Sequence, residues 1–113
     1  MLSVEVLKEY GADTAAGLGR CMNNEDFYLR LVGMVLKEPG FGQLRALLEA
    51  GDLDKAFSVV HNLKGMVGNL SLDPLYGPIC ELTELLRGRT QTDYAPLLTQ
   101  IEERFAALSA LAE

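Results

Sequence analysis

Hydrophobic residues recur at intervals of three and four along almost the whole chain, which is the spacing of one face of an α-helix. No segment shows the alternation of hydrophobic and polar residues that is typical of a β-strand. The pattern predicts an all-α protein, an antiparallel four-helix bundle with short additional N-terminal helices. Capping and stop signals divide the chain into these predicted helices: Val4–Tyr10, Thr14–Met22, Glu25–Lys37, Phe41–Ala50, Leu53–Asn69, Leu72–Arg87 and Tyr94–Ala112.

No linker, repeat or low-complexity segment interrupts the chain, so we expect one domain over residues 1–113. Residues 1–22 would form an N-terminal helical cap and residues 24–112 the bundle. Helix N-termini are indicated by side chains that accept hydrogen bonds from free backbone N–H groups. These predicted caps are Ser3, Asp13, Asn23 or Asn24, Asp52 and Asp93.

For three of the predicted helices the sequence also predicts an irregular start or the residues that face the core. The segment Leu72–Arg87 should begin irregularly, because Pro74 and Pro78 each disfavour helical geometry in the residue before them. For Glu25–Lys37 the expected inward-facing residues are Phe27, Leu31, Met34 and Val35. For Leu53–Asn69 the expected core stripe is Leu53, Ala56, Phe57, Val60, Leu63, Val67 and Leu70.

Composition narrows the class of protein. Ten Lys and Arg against sixteen Asp and Glu give a formal charge of −6, which argues against nucleic-acid binding. The longest strongly apolar run, Leu31 to Leu36, is too short to enter a membrane, and the N-terminus lacks a signal-peptide pattern. We therefore expect a cytoplasmic protein, in which Cys21 and Cys80 are free thiols.

His61 is the single histidine of the chain, and this fact excludes several chemistries. A zinc site with several histidines is impossible, and the Glu-x-x-His pair of di-iron bundles fails because Ser58 stands at the glutamate position. No serine has the setting of a hydrolase nucleophile, and no P-loop or kinase glycine loop is present. The chain is therefore expected to carry no metal or cofactor of its own and not to take phosphate from ATP by itself.

A second stripe lies beside the core stripe of the segment Leu53–Asn69. Each of its two glycines destabilises the helix by about 0.8–1.0 kcal/mol relative to alanine, so their presence calls for an explanation. They would leave the imidazole uncovered, although each could equally permit close packing of a neighbouring helix. A lone histidine is also often a plain surface residue, and a lone lysine a solvated charge. The stripe consists of Ser58, His61, Lys64, Gly65 and Gly68.

The segment from His61 to Leu70, HNLKGMVGNL, resembles the H-x-[LI]-K-G-x-x-G-x-[LVF]-G signature of histidine-containing phosphotransfer (HPt) domains. It is also similar to the first domain of chemotaxis histidine kinases. The resemblance extends over about residues 20–110. One departure is Ser71, where the family often has the glycine that ends the helix, and this leaves the form of the local turn open.

The resemblance implies that His61 accepts a phosphoryl group from an aspartyl phosphate and passes it to a second receiver aspartate. Lys64 would screen the phosphoryl charge, and Gly65, Gly68 and Ser58 would form the surface on which a receiver docks. The implied partners are receiver domains of response regulators or hybrid kinases, which would supply the magnesium, and the implied protein is a monomeric carrier in a multistep phosphorelay.

Three other interpretations remain open. The chain could be a module of the same fold that binds receivers or kinases without being phosphorylated, or a phosphorylated domain excised from a hybrid or chemotaxis kinase. It could also be an unrelated structural bundle with a surface histidine.

Overall fold

The computed structural model describes residues 1–113 and contains seven α-helices and no β-strand, which confirms the all-α prediction. None of these helices combines the length and the apolar character needed to cross a membrane. The helices are α1 (Val4–Tyr10), α2 (Thr14–Arg20), α3 (Glu25–Leu36), α4 (Gly40–Glu49), α5 (Leu53–Asn69), α6 (Asp73–Arg87) and α7 (Ala95–Ala110).

Helices α4 to α7 form a four-helix bundle. The predicted bundle, residues 24–112, also included the segment of α3, which lies outside these four helices. Helix α5 packs between α4 and α6, and α7 closes the ring by packing on both α6 and α4. Three-residue connections on either side of α5 make its neighbours antiparallel to it. Helices α1 to α3 flank this ring, with α1 and α3 each packed on α2 and on α7.

The core-facing side of α5 agrees with the predicted stripe. Five residues of the stripe are buried and two, Leu53 and Phe57, are half-buried. Together with residues of the other helices they form one continuous hydrophobic cluster. The buried members of the stripe are Ala56, Val60, Leu63, Val67 and Leu70.

The inward face predicted for α3 is wrong in part. Phe27 is 38% exposed and Met34 57% exposed, and Leu31 is only half-buried, whereas the predicted Val35 is buried. The other residues that α3 turns inward are Tyr28 and Val32. The Tyr28 ring can be buried because its hydroxyl donates a hydrogen bond to the Leu70 carbonyl at 3.0 Å, so no polar group is left unpaired.

Four of the five predicted caps are found at the starts of their helices. The side chains of Ser3, Asp13, Asn24 and Asp52 each accept a hydrogen bond from the backbone N–H three residues later. At α7 the prediction is wrong by one residue. The N-cap is Tyr94, which makes no side-chain cap hydrogen bond, and Asp93 precedes it and accepts a hydrogen bond from the Ala95 N–H.

Several helix ends differ from the prediction by one or two residues. Helix α2 ends at Arg20 rather than Met22, because Met22 and Asn23 have left-handed φ angles of 56° and 57°. At the C-terminus of the chain, α7 ends at Ala110 rather than Ala112.

Helix α6 runs without a break through both of its prolines, although the sequence predicts an irregular start. Pro78 has no N–H, so the Pro74 carbonyl four residues earlier cannot receive its usual helical hydrogen bond. Nη1 of Arg104 in α7 donates to that carbonyl at 2.7 Å. The bond lost at Pro78 is therefore replaced from the neighbouring helix.

Candidate functional site

The second stripe of α5 lines an open depression of about 440 Å³ on the surface of the bundle. Four of the five residues singled out from the sequence meet there, and the fifth, Ser58, is exposed one turn earlier on α5 and does not line it. Two residues come from other helices, Arg20 from α2 and Tyr76 from α6. The full lining is Arg20, His61, Lys64, Gly65, Gly68, Asn69 and Tyr76.

The imidazole of His61 is exposed and held from one side. Its ring stacks on that of Phe57, one turn earlier on α5, with centroids 5.7 Å apart and an angle of 19° between the planes. The guanidinium carbon of Arg87 lies 5.2 Å from the centroid of the Phe57 ring. This stacked arrangement restricts the orientation of the histidine ring while leaving it accessible to a partner.

The two glycines of the stripe have different surroundings. A Cβ atom placed on Gly65 would meet no atom within 4 Å. A Cβ on Gly68 would lie 2.7 Å from Cε1 of Tyr76, which is too close without movement of that ring. Gly65 therefore leaves the surface next to His61 clear, whereas Gly68 allows the Tyr76 ring of α6 to pack closely against α5.

Two cationic side chains line the depression, and no carboxylate does. Lys64 lies one turn after His61 on α5. Nη1 of Arg20 donates to the carbonyls of Gly68 (3.3 Å) and Asn69 (3.1 Å) and to Oγ of Ser71 (2.6 Å). The depression is thus a locally positive surface on a chain whose formal charge is −6.

The turn that the sequence left open at Ser71 is well formed. Ser71 adopts a left-handed φ of 55°. The N–H of Leu72 donates to the Val67 carbonyl at 2.9 Å and the N–H of Ser71 to the Gly68 carbonyl at 3.1 Å, as in a Schellman motif. This conformation is about 1–2 kcal/mol less favourable for a non-glycine residue than the right-handed one. The hydrogen bond from Arg20 to Oγ of Ser71 helps to offset that cost.

Tyr76 contributes a neutral hydroxyl near the depression. A hydrogen bond with Cys80, one turn later on α6, raises the pKa of Tyr76 above its ordinary value. Both cysteines are free, with Cys21 buried and Cys80 half-buried, as the sequence predicts. The phenol therefore remains a hydrogen-bond donor throughout the neutral pH range.

Sequence reasoning missed Arg20, Tyr76 and Asn69 and placed Phe57 in the core alone. An aromatic residue four positions before a helical histidine shares its face, so the stacking on Phe57 had a signal in the sequence. Arg20 and Tyr76 belong to other helices, so no signal in the sequence linked them to His61.

The arrangement can present a nucleophilic imidazole to an anionic group beside two cations. No three His, Cys, Asp or Glu side chains lie close enough together to hold a metal ion. Residues 40–111, which include all four helices of the ring, match the Hpt domain family. Neither curated proteins nor solved structures gave a significant match to the chain.

Proposed function

Since this chain belongs to the Hpt domain family, whose members carry out histidine phosphotransfer in two-component systems, we propose that His61 is its phosphoryl acceptor. The protein would shuttle the group between aspartates of two receiver domains in a multistep phosphorelay. The observation that supports this is the exposed imidazole, stacked on Phe57 and flanked by Lys64 and the open surface at Gly65. Hpt domains interact with receiver domains in general.

The proposed chemistry uses the lone pair of one nitrogen of the neutral His61 ring. That nitrogen attacks the phosphorus of an aspartyl phosphate, a P–N bond forms, and the P–O bond to the aspartate breaks. The electron pair of the broken bond leaves on the carboxylate, and the phosphorylated ring becomes a cation that keeps its other N–H. In the second step a carboxylate of another receiver attacks the phosphorus, a P–O bond forms and the P–N bond breaks. The electron pair of the P–N bond returns to the ring nitrogen, which restores the neutral imidazole.

The residues around the ring would act by position and charge. Phosphoryl transfer depends mainly on alignment and on neutralising the charge of the transferred group. In this proposal Lys64 lies beside the phosphoryl oxygens, Phe57 holds the ring, and Gly65 admits the receiver. The receiver supplies the carboxylates that bind magnesium, and the chain itself acts as a monomeric carrier.

The proposal is tested by following phosphate through both steps. A receiver domain is loaded with labelled acetyl phosphate, freed of the small donor and mixed with this protein, and a second receiver is then added. We expect label to appear on this protein and then on the second receiver, and His61→Gln to prevent both transfers. Lys55→Gln is the matched control, since Lys55 is exposed on the same helix but outside the depression.

The same experiment separates the proposal from a pure interaction module. A wild-type protein that binds receivers in a pull-down but takes up no label would show a docking domain of the same fold. Label that passes between receivers equally well with His61→Gln would contradict the assignment of this residue.

A further inference from the structure

Arg20 stands apart from the rest of the depression because it comes from α2, before the segment that matches the family. A single nitrogen of its guanidinium, Nη1, makes all three of its hydrogen bonds to the end of α5. The side chain is exposed, and its Nε–H and Nη2–H groups donate to no acceptor in the protein. A charged group with free donors therefore borders the site.

The position of Arg20 along α5 decides what it can reach. It is bound to the carbonyls of Gly68 and Asn69, about two helical turns or roughly 10 Å beyond His61. Lys64, at one turn from His61, is the nearer cation. A phosphoryl group on His61 would therefore lie close to Lys64. Arg20 would instead face the body of an approaching partner.

We propose that Arg20 is a docking residue, which binds a carboxylate on the receiver face that surrounds the phosphorylated aspartate, away from the transferred group itself. This inference rests on the proposed function. Its support is charge complementarity: the depression carries two cations and no carboxylate, while an aspartyl phosphate with carboxylate ligands for magnesium is strongly anionic. A guanidinium with free N–H groups is well suited to bind a carboxylate through two parallel hydrogen bonds.

The placement of Arg20 gives the N-terminal helices a role in recognition. Helix α2 is fastened to the end of α5, where the Asp13 N–H donates to the Ser71 carbonyl at 3.0 Å. Gly17 of α2 sits so close that a Cβ atom there would lie 2.7 Å from the Leu70 carbonyl oxygen. The guanidinium is therefore presented from a rigid support.

A purely structural role is the competing explanation, since Arg20 also closes the negative C-terminal end of α5. The two roles predict different measurements. A structural residue affects the folded fraction and hence every reaction of His61 equally. A docking residue affects the reaction with a receiver more than the reaction with a small donor.

The test compares two phosphoryl donors on the same samples of Arg20→Ala and Arg20→Lys. Phosphoramidate, a small donor, reports the amount of reactive His61, and a phosphorylated receiver reports docking. The quantity to compare is the ratio of kcat/KM for the receiver to the rate with phosphoramidate. We expect Arg20→Ala to lower this ratio by up to about fivefold, mainly through a higher KM. The loss should shrink as salt is added, and Arg20→Lys should recover part of it.

Two further variants complete the design. Arg30→Ala removes an exposed arginine of α3 that does not line the depression, and we expect a wild-type ratio from it. Ser71→Gly removes one acceptor of Arg20, suits the left-handed turn and leaves the charge in place. In Ser71→Gly the ratio of kcat/KM for the receiver to the phosphoramidate rate should therefore stay close to the wild-type value, even though Arg20 has lost one acceptor.

Failure of this inference can be distinguished from failure of the proposed function. Normal transfer by the wild-type protein together with an unchanged ratio in Arg20→Ala overturns the docking role and leaves a structural cap. A wild-type protein that accepts phosphate from neither donor overturns the proposed function itself, and the docking role with it.

Discussion

The surface next to Gly65 and the surface next to Gly68 lie one turn apart on the same helix, yet they are built differently. At Gly65 a side-chain Cβ atom would have no neighbour within 4 Å, and the exposed ring of His61 is one turn away. At Gly68 the Tyr76 ring packs against the backbone, and Arg20 bonds to the Gly68 carbonyl. One region is left open, and the other is closed by two neighbouring helices.

The comparison separates two reasons for a glycine in the middle of a helix. At both positions glycine lowers the stability of the helix by about 0.8–1.0 kcal/mol relative to alanine. Packing of α6 on α5 accounts for that cost at Gly68, because the Tyr76 ring needs the space. No contact accounts for it at Gly65, so the open surface there has to be explained by what approaches from outside.

Among changes to the residues around His61, bulk at Gly65 is expected to give the largest effect on transfer. Gly65→Gln should raise the free energy of unfolding by about 0.5–1 kcal/mol, because helix propensity improves and nothing is in the way. It should also slow transfer from a phosphorylated receiver by about 100-fold, because docking is displaced. Urea unfolding and transfer rates on one sample provide the measurement.

The opposite pattern would contradict this view of Gly65. A destabilised Gly65→Gln protein, whose folded fraction transfers at the wild-type rate, would show that the glycine serves internal packing. Gly65→Ala is the control with little bulk, and it should be stabilised while losing much less activity.

Removal of the nearer cation should have a smaller effect. Lys64→Ala is expected to slow transfer by about tenfold, comparable to the loss of one charge-assisted hydrogen bond, without abolishing it. Stability should hardly change, and Lys64→Arg should keep most of the rate. A loss as complete as that of His61→Gln would assign Lys64 an essential role that charge screening does not explain.

At Gly68 the expected effect is on stability. Gly68→Ala should be less stable than Gly65→Ala by about 1–3 kcal/mol, because the new methyl group displaces the Tyr76 ring. A Tyr76→Ala background should remove most of that difference, and the double-mutant cycle measures it. Equal stability of the two alanine variants would show that Tyr76 gives way freely and that Gly68 belongs to the open surface.

Two tyrosines with hydrogen-bonded hydroxyls predict how stability behaves at high pH. Burial raises the pKa of Tyr28 and of Tyr10 from 10.0 to about 12. Their hydroxyls donate to the carbonyls of Leu70 and Arg104, so both must stay protonated in the folded state. Their contribution is fully present below pH 10 and is lost as the pH rises through about 12, because unfolded phenols ionise first.

Unfolding midpoints between pH 9 and pH 12, with tyrosinate absorbance as the second signal, measure this effect. Tyr28→Phe should reduce the slope of stability against pH. Titration of all tyrosines near pH 10 without loss of structure would contradict the burial argument.

Helices α5 and α3 show how far sequence patterns reach. The apolar residues of α5 form one stripe, with the polar and glycine positions grouped beside it, so its inward face could be predicted. Helix α3 carries two apolar stripes one residue apart, and periodicity fits both. Which stripe turns inward depends on the packing of α3 against α2 and α7, which local sequence does not record.

The candidate site divides in the same way. His61, Lys64, Gly65 and Gly68 share one helix, so their meeting on one face followed from spacing alone. Arg20 and Tyr76 reach the depression from α2 and α6, which only tertiary packing could bring together. The departure at Ser71 was visible in the sequence, but its compensation by Arg20 was not.

The central claim is that His61 itself carries the phosphoryl group, and the chemical stability and location of the label test it most directly. After transfer from a phosphorylated receiver, the label on the wild-type protein should be lost in acid, persist in base and map to the peptide that contains His61. His61→Gln should stay unlabelled while it unfolds within about 0.5 kcal/mol of the wild type, because the ring lies outside the core. Acid-stable label on Ser58 or another hydroxyl, or undiminished labelling of His61→Gln, would contradict the account.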